Sequence, residues 1–255
     1  SGNRTIPEKG LFFAALPSTA GTGAESTNNA VLTDPETKIK KSLRHPSMIA
    51  DVAIVDPELT LTCPPALTAA SGLDAFVQAF ESFTSPRASA LTRSLSAEAV
   101  RKITASLETV FRNPDDLRFR SEMAEASMLS GLAFAQTGLG AVHGIAHPVG
   151  SLLGVPHGLA CAILMKPVTE FNIPVCGDRY AELADRAFLG TDAQAFLRTA
   201  EELARKLNVP DNLRAWDFRR EHFEFIIRNC RSASMKQNPR EMSDADVAAI
   251  LEQLL

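Results

Sequence analysis

The segment 138–158, GLGAVHGIAHPVGSLLGVPHG, constrains this chain more than any other, because it sets three of the five histidines among apolar and small residues. His143 and His147 are four residues apart, so a helix through them projects both imidazoles from one face. His157 follows a Gly-Val-Pro break and opens a new helix able to fold back beside the first. For any one of them a satisfied core histidine is the ordinary alternative. Three neutral imidazoles converging in an apolar cavity instead suit a transition metal, for which histidine is the commonest protein ligand. A carboxylate is available upstream in GLDAFVQAFESF (72–83). Asp74 stands there among apolar residues, where an unpaired anion is costly, and Gln78 shares its helical face one turn on. Asp74, His143 and His157 as three protein ligands with an open position describe a metal site of the catalytic kind.

The rest of the composition narrows the partners. The chain has 255 residues, 45% of them hydrophobic and 22% charged, enough to bury a sizeable core. A net charge of -4 gives no electrostatic case for nucleic acid or a membrane surface. The cysteines Cys63, Cys161, Cys176 and Cys230 are widely spread without a CxxC pair. They read as reduced thiols of a cytoplasmic protein, and zinc held through cysteine is not expected. No run of 18 uninterrupted apolar residues suggests a membrane span.

Residues 1–10 are polar and unpatterned. The first strand-like run is LFFAAL (11–16), followed by PSTAGTGAEST (17–27), a small-residue loop able to bring backbone N–H groups close to a phosphate or ribose. Residues 27–33 and 39–43 read as a hairpin around a DPET turn, and DVAIV (51–55) as a short, buried-looking strand. From Pro64 onward the pattern is helical. Helices are expected over a short PPALTAAS segment, over 72–85, 88–112, 114–138, 157–172, 178–189, 193–208, 217–232 and 243–255, with a further one carrying His143 and His147.

The pattern G-L-D-A-x-x-Q-A-x-E-S-x-x-S, followed by G-x-x-H-x-x-A-H-P-x-G-x-x-x-x-x-P-H-G, resembles the iron-containing (group III) alcohol dehydrogenases over most of the chain. The resemblance implies a dehydroquinate synthase-like fold, of which the 255 residues hold the C-terminal two thirds. Residues 1–62 would be a remnant of the nucleotide-binding α/β domain, and 63–255 an all-helical metal-binding catalytic domain. It implies that Asp74, Gln78, His143 and His157 bind a divalent metal, Fe2+ or Zn2+, and that His147 lies near nicotinamide and substrate as a proton relay. Ser18, Thr19, Thr27, Lys40 and Leu67 are the NAD or NADP contacts it leaves to this chain, Lys40 being preferred over Lys38 and Lys41. Gln78 departs from the family, whose best-known members have histidine there. A carboxamide oxygen is a weaker donor than imidazole, so a leaky site, tightened by Gln78→His, is expected.

The activity implied is hydride transfer between NAD(P) and a small alcohol or aldehyde, by a homodimer or higher homo-oligomer. A maleylacetate-reductase-like or glycerol-dehydrogenase-like enzyme of the same fold is the alternative, and retention of Asp74 in GLDA argues against the former. A catalytically silent metal-binding module is the alternative from another class. The family's Gly-Gly-Gly-Ser pyrophosphate loop does not occur in the sequence, and a domain of that kind needs roughly a hundred more residues than precede Pro64. Weak binding of the dinucleotide to these 255 residues alone is therefore expected.

Overall fold

The computed structural model describes residues 10–37 and 39–255. Lys38 and residues 1–9 lie outside the described residues, as does the side chain of Lys41. All strands come first: β1 (Ala14–Ala15), β2 (Asn29–Thr33), β3 (Lys40–Arg44) and β4 (Val52–Ala53). They form two separate two-stranded sheets, β1 with β4 in parallel and β2 with β3 as an antiparallel hairpin in which Asn29 opposes Arg44 and Thr33 opposes Lys40. The hairpin turn is closed by Asp34, whose Oδ1 accepts from the Glu36 amide at 3.0 Å, the side-chain mimic of a backbone turn that favours Asp there. The expected burial of 51–55 does not hold. Val52 and Ile54 are exposed, as are Leu11, Phe12, Phe13 and Leu16, and the β1–β4 pair carries no third strand among the described residues.

Helices follow: α1 (Pro65–Thr84), α2 (Ala90–Arg112), α3 (Leu117–Thr137), α4 (Ala141–Leu153), α5 (His157–Arg186), α6 (Ala193–Lys206), α7 (Phe223–Asn229) and α8 (Asp244–Glu252). Every residue from 72 to 85 is buried, which makes α1 the central rod, apolar on most sides and carrying one buried polar face at Asp74, Gln78 and Glu81. Phe76 and Phe80 of α1 pack on Phe196 of α6, with ring centroids 5.8 and 5.4 Å apart, and Tyr180 of α5 completes the cluster. Two polar links fix the neighbours. Arg120 of α3, itself buried, donates to Thr68 Oγ1 and to the Cys63 carbonyl, and Lys102 of α2 reaches Glu122 and Glu125 of α3.

Three boundaries differ from expectation. The PPALTAAS segment and the Asp74 helix are one helix, because the lone Gly72 between them costs a helix only about 1 kcal/mol and the surrounding packing outweighs it. The helices expected over 157–172 and 178–189 also run together into α5, joined across a kink at Cys176 (φ -131, ψ 27) two residues after Pro174. Conversely, the helix expected over 217–232 shrinks to α7, since Asp217 takes a left-handed turn (φ 53) and short 3-10 turns precede it. By length and composition α5 could cross a bilayer, but 61% of its apolar window is buried in the molecule, so its apolar residues serve the core.

Candidate metal centre

Three helices meet at the histidines. Asp74, Gln78 and Glu81 lie at i, i+4 and i+7 on α1 and share one face. Helix α4 presents His143 and His147 with ring centroids 6.5 Å apart. Gly154 (φ 75, left-handed) ends α4, and α5 then starts at His157, whose ring lies 5.4 Å from that of His143. The next residue decides how close α5 can come to α1. A Cβ on Gly158 would stand 2.0 Å from the Ala70 carbonyl oxygen and 3.2 Å from Asp74 Cβ. Only glycine permits that approach, and it brings His157 and Cys161, one turn apart, against Asp74.

His143 Nε2 is 3.2 Å from Asp74 Oδ1, and His157 Nε2 is 3.7 Å from the same oxygen. On its other side, His143 Nδ1 lies 2.6 Å from Glu81 Oε2. Glu81 Oε1 accepts from the Val142 amide at 2.7 Å, so the carboxylate also caps the N-terminus of α4, where negative charge is favoured. Asn238 Oδ1 caps the adjacent Ala141 amide at 3.2 Å and accepts from Asn172 of α5. The Asn-Pro-Arg stretch therefore clamps α4 to α5. With Nδ1 held by Glu81, the imidazole ring of His143 is fixed with Nε2 facing Asp74 and His157, the orientation control that metal-binding histidines require.

Gln78 reaches the site beside Asp74. Its Nε2 donates to Asp74 Oδ2 at 3.0 Å, while its Oε1 accepts from Ser130 Oγ at 3.3 Å. The amide cannot turn over, because its oxygen would then face the carboxylate and two acceptors would meet. Gln78 therefore orients Asp74 through its amide nitrogen. Cys161, not expected to hold zinc, stands beside them: Asp74, His143, His157 and Cys161 place one ligand atom each within 4.8 Å of one another. The electrostatics follow from this crowding. Burial pushes the Asp74 carboxyl up, but the hydrogen bond from His143 and the charges of His157 and His143 outweigh it and hold it below the ordinary value. Burial also disfavours charge on His143, yet Cys161, Asp74 and Glu81 raise it well above the ordinary histidine value. His147 goes the other way: burial, then the positive neighbours His157 and His143, push it down to about 3.

His143, His147 and His157 line a cavity of about 430 Å³ together with Gln78, Thr27 and Lys40. The hairpin β2–β3 forms its far wall and Ser232–Ser234 its side. A second cavity of about 590 Å³, lined by Thr19 among others, shares Thr22, Ala24, Thr27 and Asn29 with the first, so the loop 17–27 stands between them. Ser18 and Leu67 line neither: the Ser18 carbonyl accepts from Cys63 Sγ, and Leu67 is exposed at the start of α1. Two participants escaped the sequence reading, Glu81 and Cys161. Glu81 continues the Asp74–Gln78 face at i+7, and Cys161 stands one turn after His157; both spacings were legible signals.

Residues 68–255 match the family described as "Fe-containing alcohol dehydrogenase family, C-terminal", and residues 1–57 match "Iron-containing alcohol dehydrogenase". The chain is 34% identical to long-chain-alcohol dehydrogenase 1 of Geobacillus thermodenitrificans (strain NG80-2) over 262 residues, covering 99% of this chain and 66% of that protein. It is 36% identical to 1-propanol dehydrogenase PduQ of Salmonella typhimurium over 255 residues, with 94% and 69% covered. Among solved structures it superposes with a TM-score of 0.93 on sulfoacetaldehyde reductase from Bifidobacterium kashiwanohense in complex with NAD+, at 30% identity, covering 99% of this chain and 67% of that one. The chain thus spans about two thirds of the length of the relatives it matches.

Proposed function

The chain belongs to the iron-containing alcohol dehydrogenase family, and from that premise we propose that residues 63–255 form the metal- and substrate-bearing part of an NAD(P)-dependent oxidoreductase, with 1–62 closing its nucleotide-binding domain. The reaction is hydride transfer between the nicotinamide and a small alcohol or aldehyde, in the cytoplasm and by a homo-oligomer. Relatives named for 1-propanol and long-chain alcohols favour a primary alcohol. One observation carries the reading: Asp74 Oδ1 lies 3.2 Å from His143 Nε2 and 3.7 Å from His157 Nε2, and both histidines line a cavity that also presents His147 and Lys40.

The donors fit a divalent cation. Ligands ~2.0–2.3 Å from a tetrahedral zinc stand about 3.3–3.8 Å apart, and the separations of 3.2 and 3.7 Å fall in or beside that range. Asp74, His143 and His157 would hold Fe2+ or Zn2+, which when bound acts as a Lewis acid on the substrate oxygen and favours the alkoxide at neutral pH. Asp74 supplies the anion, Gln78 fixes its second oxygen, and Glu81 fixes the His143 ring. His147, neutral at physiological pH, offers a lone pair to the hydroxyl proton of the alcohol. With a pKa of about 3 it cannot retain that proton, so its part is to pass it toward solvent. Thr27 and Lys40 are the cofactor contacts that the geometry favours, with Thr19 on the adjoining cavity; the hydride chemistry itself belongs to the cofactor.

The test is nicotinamide turnover by the 255-residue chain with a short primary alcohol or its aldehyde, with zinc or iron(II) present and cofactor raised until the rate saturates. Metal-dependent turnover that saturates only at high cofactor and is abolished by His157→Ala is expected. Bound metal without turnover at any cofactor concentration would instead favour the silent metal-binding module.

A further inference from the structure

We propose that Cys161 supplies the fourth protein donor of this centre, as a thiolate, in the place that family resemblance gives to Gln78. The inference rests on the metal-site reading above and goes beyond it in naming the donor set: two imidazoles, one carboxylate and one thiolate. Three independent observations lead to it.

The first is the behaviour of the other cysteines. Cys63 donates to the Ser18 carbonyl, Cys176 to the Asn172 carbonyl and Cys230 to the Ile227 carbonyl, the ordinary use of a thiol against main chain. Cys161 is fully buried, yet its Sγ faces the His157 Nε2 at 3.9 Å and stands within the Asp74, His143 and His157 cluster. The second is Gln78, whose amide nitrogen donates to Asp74, so that a hydrogen-bond donor and not its oxygen faces the carboxylate. The third is spacing: Sγ lies 3.9 Å from His157 Nε2, a few tenths of an ångström beyond the separation of about 3.6 Å expected between a sulfur and a nitrogen donor of a tetrahedral zinc.

The placement has a simple origin. His157 and Cys161 are one turn apart at the start of α5, so they project from the same face, and Gly158 lets that face lie against α1. On binding, the Sγ–H bond breaks, its proton leaves to solvent, and the sulfur lone pair joins the cation with no change in oxidation state. A soft thiolate shifts preference toward zinc and other thiophilic divalent ions. The four-donor count that Gln78 would have weakened is thereby restored from the opposite helix.

Cobalt(II) titration of the chain, followed by absorption spectroscopy, tests this. Wild type and Gln78→Ala should both develop a near-ultraviolet sulfur-to-cobalt charge-transfer band that saturates at one ion per chain. Cys161→Ser should lack that band and bind zinc more weakly by roughly tenfold or more. Stoichiometric cobalt in wild type with no such band would overturn the assignment of Cys161 while leaving the metal site standing. A band retained in Cys161→Ser would equally overturn it. No cobalt bound by wild type would overturn both readings. Because the wild-type spectrum decides alone, poor folding of the serine variant does not shelter the proposal.

Discussion

At the scale of single residues, the centre depends on groups that never need to touch substrate. Glu81 holds the His143 ring through Nδ1 and caps α4 with its other oxygen. Glu81→Gln would keep the shape but remove the negative charge, and partners of this kind are worth 10–100-fold in metal affinity, order of magnitude. Zinc competition against a chelator should show a loss of about that size, and an unchanged affinity would remove Glu81 from the account. His147 makes a pH prediction whose sign follows from where its proton binds. The unfolded chain protonates it near 6.5 and the folded protein only at about 3. Between those values the unfolded state holds the extra proton, so His147 makes stability fall as pH drops through the window. His147→Gln should therefore lose less Tm than wild type between pH 6.5 and about 4, and parallel curves would show that His147 is not buried neutral. Asp74, His143 and His157 were legible in the sequence because three histidines crowd one short segment and an acid stands alone in an apolar helix. Cys161 also carries a legible signal, its one-turn spacing after His157, which the lack of a CxxC pair obscures.

At the scale of elements, the site exists because α5 can touch α1. Gly158→Ala places a methyl 2.0 Å from the Ala70 carbonyl oxygen, a backbone atom that cannot rotate away. The helices must part, at a cost of about 1–3 kcal/mol or more for such overpacking, and the shift carries His157 and Cys161 off Asp74. A lowered Tm together with weakened zinc binding is expected, and a variant with wild-type values for both would show that α5 reaches α1 by another contact. Helix identity was legible from apolar periodicity, while helix joins were not. A lone glycine at 72 and a proline at 174 read as breaks, but packing on all sides of α1 and along α5 overrides these local costs. Pattern alone does not report pairing; among the described residues the hairpin β2–β3 pairs with no other strand, and it serves as a cavity wall.

At the scale of the whole molecule, the helical body is a rigid frame that delivers donors from α1, α4 and α5 to one point, with a cavity beside it. The strand-bearing segment lies across that cavity, bringing Thr27 and Lys40 opposite the histidines. The four candidate donors all come from the helical body, so metal binding is expected of these 255 residues by themselves. The most direct measurement is the zinc content of the purified chain after dialysis against the metal, by elemental analysis, beside His143→Ala and His157→Ala. The account predicts one ion per chain in wild type and none in either variant. A wild-type chain without zinc at excess metal, or variants loaded to the same level, would contradict it.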